Sequence, residues 1–566
     1  MTWYISNLAR YKSERLGLEL LGSAADWCEP VGWRIDDRLR LTFDANVVVG
    51  QRVYPVFLKF PEQFPHTPPS VWPRGETTRW SIHQFGAGGE LCTEFGPDNW
   101  TSDMTATQML ESAYRLLAGE NPPSGEEGTV ASRHEDSLGQ RLRSKTVRLL
   151  VTRDFSAMAD GISVGTTVHG NLVTCFRKPG ASTYLVDRVT LPDQSIWQDP
   201  SVPDTLGYET YERPIAIVRM SANASLPSSS NYDQFVAACV ELGLSSDEPF
   251  VIVLRGSDIA GYIAAPSDKS VYSFAVIPPE ERKQRLDEAH QSLAERTVGI
   301  VGCGSVGSKV ATTLARSGVR RFVIVDSDIL MPDNMVRHDL DWRDIGAHKA
   351  DALARRLKNV RPDVQITIHN VKLAGQESGG TADAVLTNLA GCDLVVDATA
   401  DPEVLNLLSA VAADAEKSIL WAKVFGGGVG GVIARCRPGV EPPPQLARRA
   451  IENWFREQNT TTIEPTADYG ARRGDGDPFI ADDADVTAIA APAARLAIDT
   501  LLGRAPSHFS HSAYAIGLAP GLVFTQAFET YPIELGLPPE KPDIPTLSTE
   551  EINEEVATII KLLPSR

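Results

Sequence analysis

Residues 297–326 constrain the fold of this chain more than any other stretch. The apolar run Val298–Val301 is typical of a buried parallel strand, and a second strand-like run, Arg321–Val325, ends directly before Asp326. Between the two runs lies the glycine motif Gly302-x-Gly304-x-x-Gly307, which leads into a helical pattern. This order predicts a βαβ unit in which backbone N–H groups and a helix N-terminus face a phosphate. An acidic side chain after the second strand is placed to bind a ribose hydroxyl.

Polar and cationic residues follow this unit and distinguish ATP from a dinucleotide. They are Asp326, Asp328, Asn334, Arg337 and Lys349. An oxidoreductase has no general need for such a loop, whereas an adenylating enzyme needs Arg and Lys to neutralise a triphosphate as pyrophosphate leaves. The pattern D-x-D, N-x-x-R and G-x-x-K resembles that of the ThiF/MoeB/ubiquitin-activating family. The resemblance implies that Arg337 and Lys349 stabilise the phosphates of ATP. It also places Gly302, Gly304, Gly307, Asp326, Asp328 and Asn334 at the nucleotide.

The next strand-like run, Asp393–Val396, ends in the sequence D-A-T-A-D, from Asp397 to Asp401. The family usually has D-x-T-D here, and its last aspartate holds Mg²⁺, because a hard cation prefers carboxylate oxygen. Either Asp401 binds the metal through a shifted turn, which we predict, or the metal site is altered. Some relatives carry Cys-x-x-Cys for zinc further on. Residues 438–445 contain no cysteine, so no structural zinc is predicted.

The N-terminal region has a second family-like pattern. Its run 57–69 reads F-x-x-F-P-x-x-F-P-x-x-P-P, Leu91-Cys92 follows, and Trp100 stands eight residues after the cysteine. Strands are predicted over Arg38–Val49 and Val53–Phe60, and a helix that buries Met109, Ala113, Leu116 and Leu117. The region resembles a ubiquitin-conjugating enzyme core, with Cys92 as the thioester acceptor. A thioester carrier needs an accessible thiol in a loop; the alternative is a buried packing cysteine.

The pattern departs from that family just before the cysteine. Eukaryotic members have His-Pro-Asn there, and the asparagine stabilises the oxyanion. This chain has Ser81-Ile82-His83-Gln84. Either His83 or Gln84 donates to the oxyanion, or His83 is a structural residue.

The remaining segments carry fewer signals. Residues 124–145 are predicted to connect domains. A charged helix is predicted over 277–296. Either its Arg282 and Arg285 reach the ATP of a partner subunit, as the resemblance allows, or they lie on a solvated helix face. Residues 146–275 fit an α/β linker or docking module with no catalytic constellation. Its candidate elements are the strands Val147–Val151, Leu172–Cys175, Ile215–Val218 and Phe250–Leu254 and the helix Tyr232–Leu242.

No cysteine follows Cys436, which is predicted to be buried, although ubiquitin-activating relatives often place a catalytic cysteine in the region of the polar crossover 456–485 or later. Three alternatives stay open: the acyl group of the adenylate passes directly to Cys92, a Ser or Thr acts as the first acceptor, or a catalytic cysteine has been replaced in this sequence. The glycine run 426–431 opens a strand, so it predicts a tight turn or a close approach to a peptide terminus. Packing and amphipathic helices are predicted over Val486–Leu502 and Glu550–Leu563.

Composition narrows the function classes. The net charge of −19 argues against a nucleic-acid surface, which needs clustered Lys and Arg. No apolar run approaches the roughly 20 residues of a membrane span, and the N-terminus lacks a signal-peptide core. Seven scattered cysteines suit a reducing compartment. We therefore expect a cytoplasmic protein.

The predicted fold is multidomain α/β. It comprises a ubiquitin-conjugating-like α+β domain (1–145), an α/β linker domain (146–275), a Rossmann-like ThiF/MoeB-type adenylation domain (276–540) and a tail (541–566). The domain order resembles bacterial activating–conjugating fusions encoded beside cGAS-like nucleotidyltransferases in CBASS anti-phage operons.

The resemblance implies that ATP and Mg²⁺ activate the C-terminus of a protein partner, a cGAS-like nucleotidyltransferase or a ubiquitin-like protein. Transfer then proceeds through Cys92 to target lysines, and the adenylation domains pair as a homodimer. Two alternatives stay open: a ThiF-type sulfur-carrier activating enzyme that does not conjugate, and a non-catalytic docking protein. The partner and the operon type do not follow from the residues.

Overall fold

The computed structural model describes residues 2–75, 77–81, 83–120, 142, 145–178, 181–203, 206, 213–245, 249–279, 286–374, 379–458, 481–540 and 548–562. Arg282, Arg285, most of the predicted connecting segment 124–145 and most of the crossover 456–485 lie outside these ranges. The chain divides into two compact units, Met1–Lys145 and Thr146–Arg566. Among the described helices, none has the length and apolarity that a membrane crossing requires.

The first unit contains a four-stranded antiparallel sheet in the order β1-β2-β3-β4. Its elements are α1 (Trp3–Ser6), α2 (Leu8–Ala24), β1 (Cys28–Ile35), β2 (Leu41–Val49), β3 (Arg52–Lys59), β4 (Ser70–Pro73) and α3 (Ala106–Gly119). Strand β2 buries alternate residues, as a sheet with one covered face requires. The two predicted strands are confirmed. Strand β1 was missed because a register shift between Pro30 and Gly32 interrupts its alternation.

Helix α3 begins at a capping box in which Thr105 and Gln108 exchange hydrogen bonds. It buries Met109, Ala113, Leu116 and Leu117, as predicted. The buried carboxylate of Glu14 on α2 accepts the Ala106 N–H at 2.8 Å and pairs with Arg10 at 2.7 Å. A negative charge at the first turn of α3 is favourable for the helix dipole, so this contact fastens α2 to α3.

The second unit begins with a mixed sheet of nine strands within the described residues. Its strand order is β12-β11-β10-β9-β6-β7-β5-β13, and β8 pairs with β7. The elements are β5 (Val147–Leu150), α4 (Arg153–Asp160), β6 (Thr167–Lys178), β7 (Ala181–Thr190), β8 (Ile196–Gln198), β9 (Arg213–Met220), α5 (Tyr232–Glu241), β10 (Phe250–Arg255), β11 (Asp258–Ala265), β12 (Ser270–Ser273) and β13 (Ala275–Ile277). The four predicted strands and the helix are confirmed, and the sheet is larger than predicted.

An eight-stranded sheet follows, in the order β16-β15-β14-β17-β18-β19-β20-β21. The first five strands in this order, from β16 to β18, are parallel to one another. Each of the last three, β19, β20 and β21, pairs antiparallel with the strand before it. The strands are β14 (Thr297–Val301), β15 (Arg321–Val325), β16 (Gln365–His369), β17 (Leu394–Asp397), β18 (Ser418–Phe425), β19 (Gly430–Cys436), β20 (Ala513–Gly517) and β21 (Thr530–Ile533). The helices are α6 (Ser305–Ser317), α7 (Lys349–Val360), α8 (Gly379–Ala390), α9 (Pro402–Ala415), α10 (Pro444–Glu457), α11 (Asp483–Leu502) and α12 (Thr549–Leu562).

Helices cover both faces of this sheet. One buried cluster joins the strands to α6, α7 and α11, and a second joins them to α8, α9 and α10. Val298 and Ile300 of β14 belong to the first cluster, and Val301 belongs to the second. This is the doubly wound α/β arrangement predicted from the βαβ motif.

A buried ion pair joins β19 to α11. Arg435 Nη1 lies 2.8 Å from Asp499 Oδ2, and the two side chains are 1% and 2% exposed. Ser507 donates to Asp499 at 2.6 Å and accepts from Arg435 at 2.9 Å. These additional hydrogen bonds satisfy the charges that burial removes from water.

We predict that Arg435→Met destabilises the chain by about 3–5 kcal/mol, because it leaves the Asp499 carboxylate buried without its cation. Arg448→Met is the control, since its partner Glu452 is 36% exposed, and we expect less than about 1 kcal/mol there. Denaturant unfolding followed by tryptophan fluorescence measures both. Equal losses in the two variants would contradict the prediction.

Candidate active site

The glycine motif lies where the two central parallel strands diverge. Strand β14 pairs with β15 on one side and with β17 on the other, and Val301 is opposite Asp397. The chain leaves β14 and β17 toward opposite halves of the sheet, which creates a crevice at the carboxyl ends of these strands. This is the usual ligand position in open α/β sheets.

Each glycine of the motif has a distinct geometric role. Gly302 has φ +87°, and a Cβ there would lie 3.0 Å from the backbone nitrogen of Thr399. A Cβ on Gly307 would lie 1.9 Å from the Gly302 carbonyl oxygen, so the helix packs directly on the turn. Gly304 precedes α6 and has open space where a Cβ would stand. The first turn of α6 is therefore approachable by a ligand.

The backbone of Cys303 is held on both sides by polar side chains, of which His338 is buried and Asp326 partly buried. Its N–H donates to Asp326 Oδ2 at 2.6 Å, and the other Asp326 oxygen accepts the Asp328 N–H at 2.7 Å. Its carbonyl lies 2.8 Å from His338 Nε2, while His338 Nδ1 accepts the Leu340 N–H at 3.2 Å. His338 Nε2 therefore carries the proton and donates it. Burial lowers the pKa of His338 and raises that of Asp326.

His338 is a residue whose position the sequence did not reveal. It follows Arg337 directly in the sequence, but no local pattern indicates its hydrogen bonds. In the structure His338 is buried and supports the glycine loop through its hydrogen bond to the Cys303 carbonyl.

The predicted phosphate-binding residues reach the site from two directions. Lys349, the first residue of α7, places Nζ 2.8 Å from Asp328 Oδ2. Arg337 donates to the Ala481 carbonyl at 3.3 Å, just before α11. Asn334 accepts the Met331 N–H at 2.9 Å and so caps a single turn, Pro332–Val336. The structure thus gathers Asp326, Asp328 and Lys349 at the glycine loop and directs Arg337 to the start of α11.

Lys309 lies in the same region, but the sequence motif did not identify it as a candidate site residue. It lies on α6 two residues after Gly307, and its Nζ is 2.7 Å from Asp483 Oδ1. The available signal was its helical position directly after the glycine motif. Its partner could not be found from local sequence, because Asp483 belongs to the distant helix α11.

The D-A-T-A-D segment forms a turn at the crevice. Asp397 Oδ1 accepts the Thr399 N–H at 2.9 Å and its hydroxyl at 2.6 Å, and Ala400 adopts a left-handed φ of 57°. Asp401 Oδ1 accepts the Glu403 N–H at 2.8 Å and caps α9. Ala400 therefore absorbs the additional residue.

The metal assignment stays a prediction. Across the described residues, no three His, Cys, Asp or Glu side chains are grouped as a metal site. Mg²⁺ often binds through one or two carboxylates together with substrate phosphates. The single carboxylate of Asp401 fits that mode.

Cys92 of the first unit lies in a loop that runs beside β4. The Leu91 N–H donates to the Val71 carbonyl at 2.9 Å, and the Cys92 N–H to that of His83 at 2.8 Å. The thiol was expected to be accessible, but Cys92 is only 6% exposed. The expectation was wrong at the level of the residue, because these backbone contacts draw the loop onto the sheet.

Gln84 has a structural role in the same loop. Its Oε1 accepts the Trp80 N–H at 2.9 Å, and its Nε2 donates to the Gly89 carbonyl at 2.9 Å. The suggestion that Gln84 is an oxyanion donor is therefore not supported by its contacts. Trp100 donates to the Pro65 carbonyl at 2.7 Å and so joins the segment after the cysteine to the proline-rich loop.

The glycine run 426–431 forms the predicted tight turn. Phe425 pairs with Gly430 where β18 and β19 form an antiparallel hairpin. A Cβ on Gly428 would lie 1.9 Å from Asp485 Oδ2, so the start of α11 packs against the turn. Cys436 is buried as predicted, and burial raises the pKa of its thiol.

Residues 281–511 match the ThiF family. This chain therefore contains a ThiF-like region that spans these residues. The match covers the glycine loop, the cationic residues and the D-A-T-A-D turn.

Curated relatives are similar to parts of this chain. The ATP-dependent ubiquitin transferase-like protein Cap2 of Enterobacter hormaechei subsp. hoffmannii is 32% identical over 23% of this chain and 21% of its own length. Ubiquitin-like modifier-activating enzyme 5 of Drosophila pseudoobscura pseudoobscura is 27% identical over 43% of this chain and 63% of its own. The alignments with three of the curated relatives span 21–26% of their lengths.

Solved structures are similar at a lower level. The crystal structure of E. coli MccB with ATP is 16% identical, covers 45% of this chain and 68% of that chain, and has a TM-score of 0.34. That score is too low to support an argument about this protein.

We predict that the carboxyl group of Asp397 makes stability depend on pH. Burial raises its pKa to about 6 from an ordinary 3.8. Between about pH 4 and pH 6 the folded state keeps a proton that the unfolded chain has released, so stability falls as pH rises. The full effect is about 3 kcal/mol. Asp397→Asn lacks it, so the variant should gain up to this amount relative to the unaltered protein from pH 4 to pH 7.

Paired denaturant unfolding at pH 4, 5, 6 and 7 measures the gain. Asp414→Asn, an exposed position near the end of α9, is the control and should show a difference independent of pH. A flat difference for Asp397→Asn as well would show that the native carboxyl group is ionised throughout.

Proposed function

We propose that this protein uses ATP to activate the C-terminal carboxylate of a partner protein by adenylation, and then transfers the acyl group to Cys92. The observation that carries the first step is the glycine loop at the strand divergence, with the ammonium of Lys349 and the carboxylate of Asp326 beside it. The related Cap2 protein is named an ATP-dependent ubiquitin transferase-like protein, which agrees with this proposal.

In the adenylation step, a carboxylate oxygen of the partner attacks the α-phosphorus of ATP. A P–O bond forms between the carboxylate and the α-phosphorus, the bond to the β-phosphate breaks, and pyrophosphate leaves. Lys349 and Arg337 stabilise the charge that develops on the phosphate oxygens. Asp326 accepts a ribose hydroxyl, with Asp328 and Asn334 supporting the loop. If Mg²⁺ binds, Asp401 would hold it, and the ion would neutralise phosphate charge.

In the transfer step, the thiolate of Cys92 attacks the acyl carbon and AMP leaves, which produces a thioester. The ε-amine of a target lysine then displaces the thiol and forms an amide. The four-stranded sheet, the cysteine loop after β4 and helix α3 support a conjugating-type domain. We place the reaction in CBASS anti-phage defence, with a cGAS-like nucleotidyltransferase or a ubiquitin-like protein as the activated partner and a homodimer as the assembly.

A ThiF-type activating enzyme without conjugation is the second candidate. The observation that favours it is the 6% exposure of Cys92, because a buried thiol is a poor acceptor. In that case the adenylation step would proceed and the transfer step would not.

The adenylation step predicts a strong effect of Lys349→Ala. We expect ATP–pyrophosphate exchange, measured with a purified cGAS-like nucleotidyltransferase, to fall on the order of 10²–10³-fold, as for the loss of a group that stabilises transition-state charge. Lys358→Ala, an exposed lysine at the end of the same helix α7, is the control and should exchange normally. Exchange that survives in Lys349→Ala contradicts the role of this lysine.

The transfer step predicts three distinct results on gels of the full chain with ATP, Mg²⁺ and the same partner. The unaltered protein should form an adduct that dithiothreitol removes, since a thioester exchanges with thiols. Cys92→Ser should form an adduct that resists dithiothreitol, because an oxygen ester does not exchange in this way, and Cys92→Ala should form none. Cys175→Ala serves as the cysteine control and should behave like the unaltered protein.

Removal of the partner's last residue should abolish the adduct only if that C-terminus is the one recognised. Exchange without any adduct in the four proteins would favour activation without conjugation.

A further inference from the structure

Lys309 is a largely buried lysine close to the glycine loop. Only 12% of its side chain is exposed, whereas Asp483, its partner at 2.7 Å, is 56% exposed. Lysine side chains are seldom buried unless their charge is paired. Here the paired carboxylate lies mostly in water, where an ion pair contributes little to stability. The pair therefore does not explain why the lysine is held in this position.

Lys349 has the same arrangement on the other helix of the site. Its side chain is also 12% exposed, and its partner Asp328, 2.8 Å away, is 61% exposed. Two lysines thus approach the loop from α6 and α7, and each is paired with an exposed carboxylate. The family pattern includes only one of them.

His338 shows that both ammonium groups lie near the loop. Burial is the main cause of its lowered pKa, and the positive charges of Lys349 and Lys309 lower the pKa further. Since the His338 ring is bonded to the Cys303 carbonyl at 2.8 Å, both lysines are within electrostatic reach of the loop that faces the phosphates.

Arg337 points to the same place. It donates to the Ala481 carbonyl, and Asp483, the partner of Lys309, is two residues further on. Two cations from separate elements, the segment after β15 and helix α6, therefore meet one short segment at the start of α11. That segment presents them with a carbonyl and a carboxylate, the kinds of oxygen that a phosphate would replace.

We infer that Lys309 is a further phosphate-binding residue of the adenylation site and that Asp483 is its exchange partner. The ammonium leaves the exposed carboxylate for the β- and γ-phosphate oxygens of ATP, which offer more negative charge than one carboxylate. The inference rests on the proposed adenylation function. It adds a residue to the site that the matched family pattern does not contain.

The test is calorimetric titration of the full chain with ATP and with AMP. Lys309→Ala should weaken ATP binding on the order of 10–100-fold, the range for a charged hydrogen bond, and should leave AMP binding nearly unchanged, because AMP lacks the β- and γ-phosphates. Lys309→Arg should retain most of the ATP affinity. Asp483→Asn should bind ATP at least as tightly as the unaltered protein, because it frees the lysine. Lys358→Ala is the control and should match the unaltered protein.

A structural role for the pair gives a different result. If Lys309 only fastens α6 to α11, Lys309→Ala and Asp483→Asn should lower the melting temperature alike and should weaken ATP and AMP together, which would overturn the inference. Unchanged ATP affinity in Lys309→Ala, with a loss in Lys349→Ala, would overturn the inference and leave the proposed function intact. Absence of ATP binding by the unaltered chain would overturn both.

Discussion

Two hydrogen bonds to the backbone of Cys303 hold the glycine loop. The carboxylate of Asp326 accepts its N–H and the imidazole of His338 donates to its carbonyl. The loop is thereby fixed between the end of β15 and the segment after it, while Gly307 packs on the turn from the helix side. Since a carboxylate has about four acceptor positions, the two N–H groups that bind Asp326 leave capacity for a ribose hydroxyl. In the proposed site, Asp326 would therefore support the loop and bind the nucleotide with the same side chain.

The electrostatics of the site follow from this placement. A crevice that binds a polyphosphate must hold several cations close together, and their repulsion must be balanced when they are brought out of water. Here Lys349 is balanced by Asp328 and Lys309 by Asp483, while Arg337 reaches a carbonyl. Both carboxylates are more than half exposed, so each pair is weak enough to exchange for phosphate. Although the chain has a net charge of −19, three cations, Lys309, Lys349 and Arg337, therefore lie in the region of the N-terminus of α6.

Local sequence was sufficient for the parts of this structure that depend on local chemistry. The βαβ unit, helix α3, the turn after β18 and four of the nine described strands of the middle sheet were predictable from periodicity and glycine spacing. The missed features depend on contacts between distant segments. Asp483 meets Lys309 only because α11 packs on α6. The D-A-T-A-D turn contains a left-handed Ala400, which the sequence did not indicate. The burial of Cys92 also follows from the backbone hydrogen bonds of Leu91 to Val71 and of Cys92 to His83, which no local pattern reveals.

The distribution of thiols bears on the proposed transfer step despite this burial. Burial raises the pKa of five of the seven cysteines, namely Cys28, Cys175, Cys303, Cys392 and Cys436. Because the thiolate is the nucleophile, a raised pKa leaves these five mostly protonated and unreactive at neutral pH. Cys239 lies on α5 and is packed in a core cluster. Cys92 is the remaining cysteine, and it differs from the others in lying in a loop rather than in a core cluster. These differences are the basis on which we propose Cys92, rather than another cysteine of this chain, as the acceptor of the acyl group.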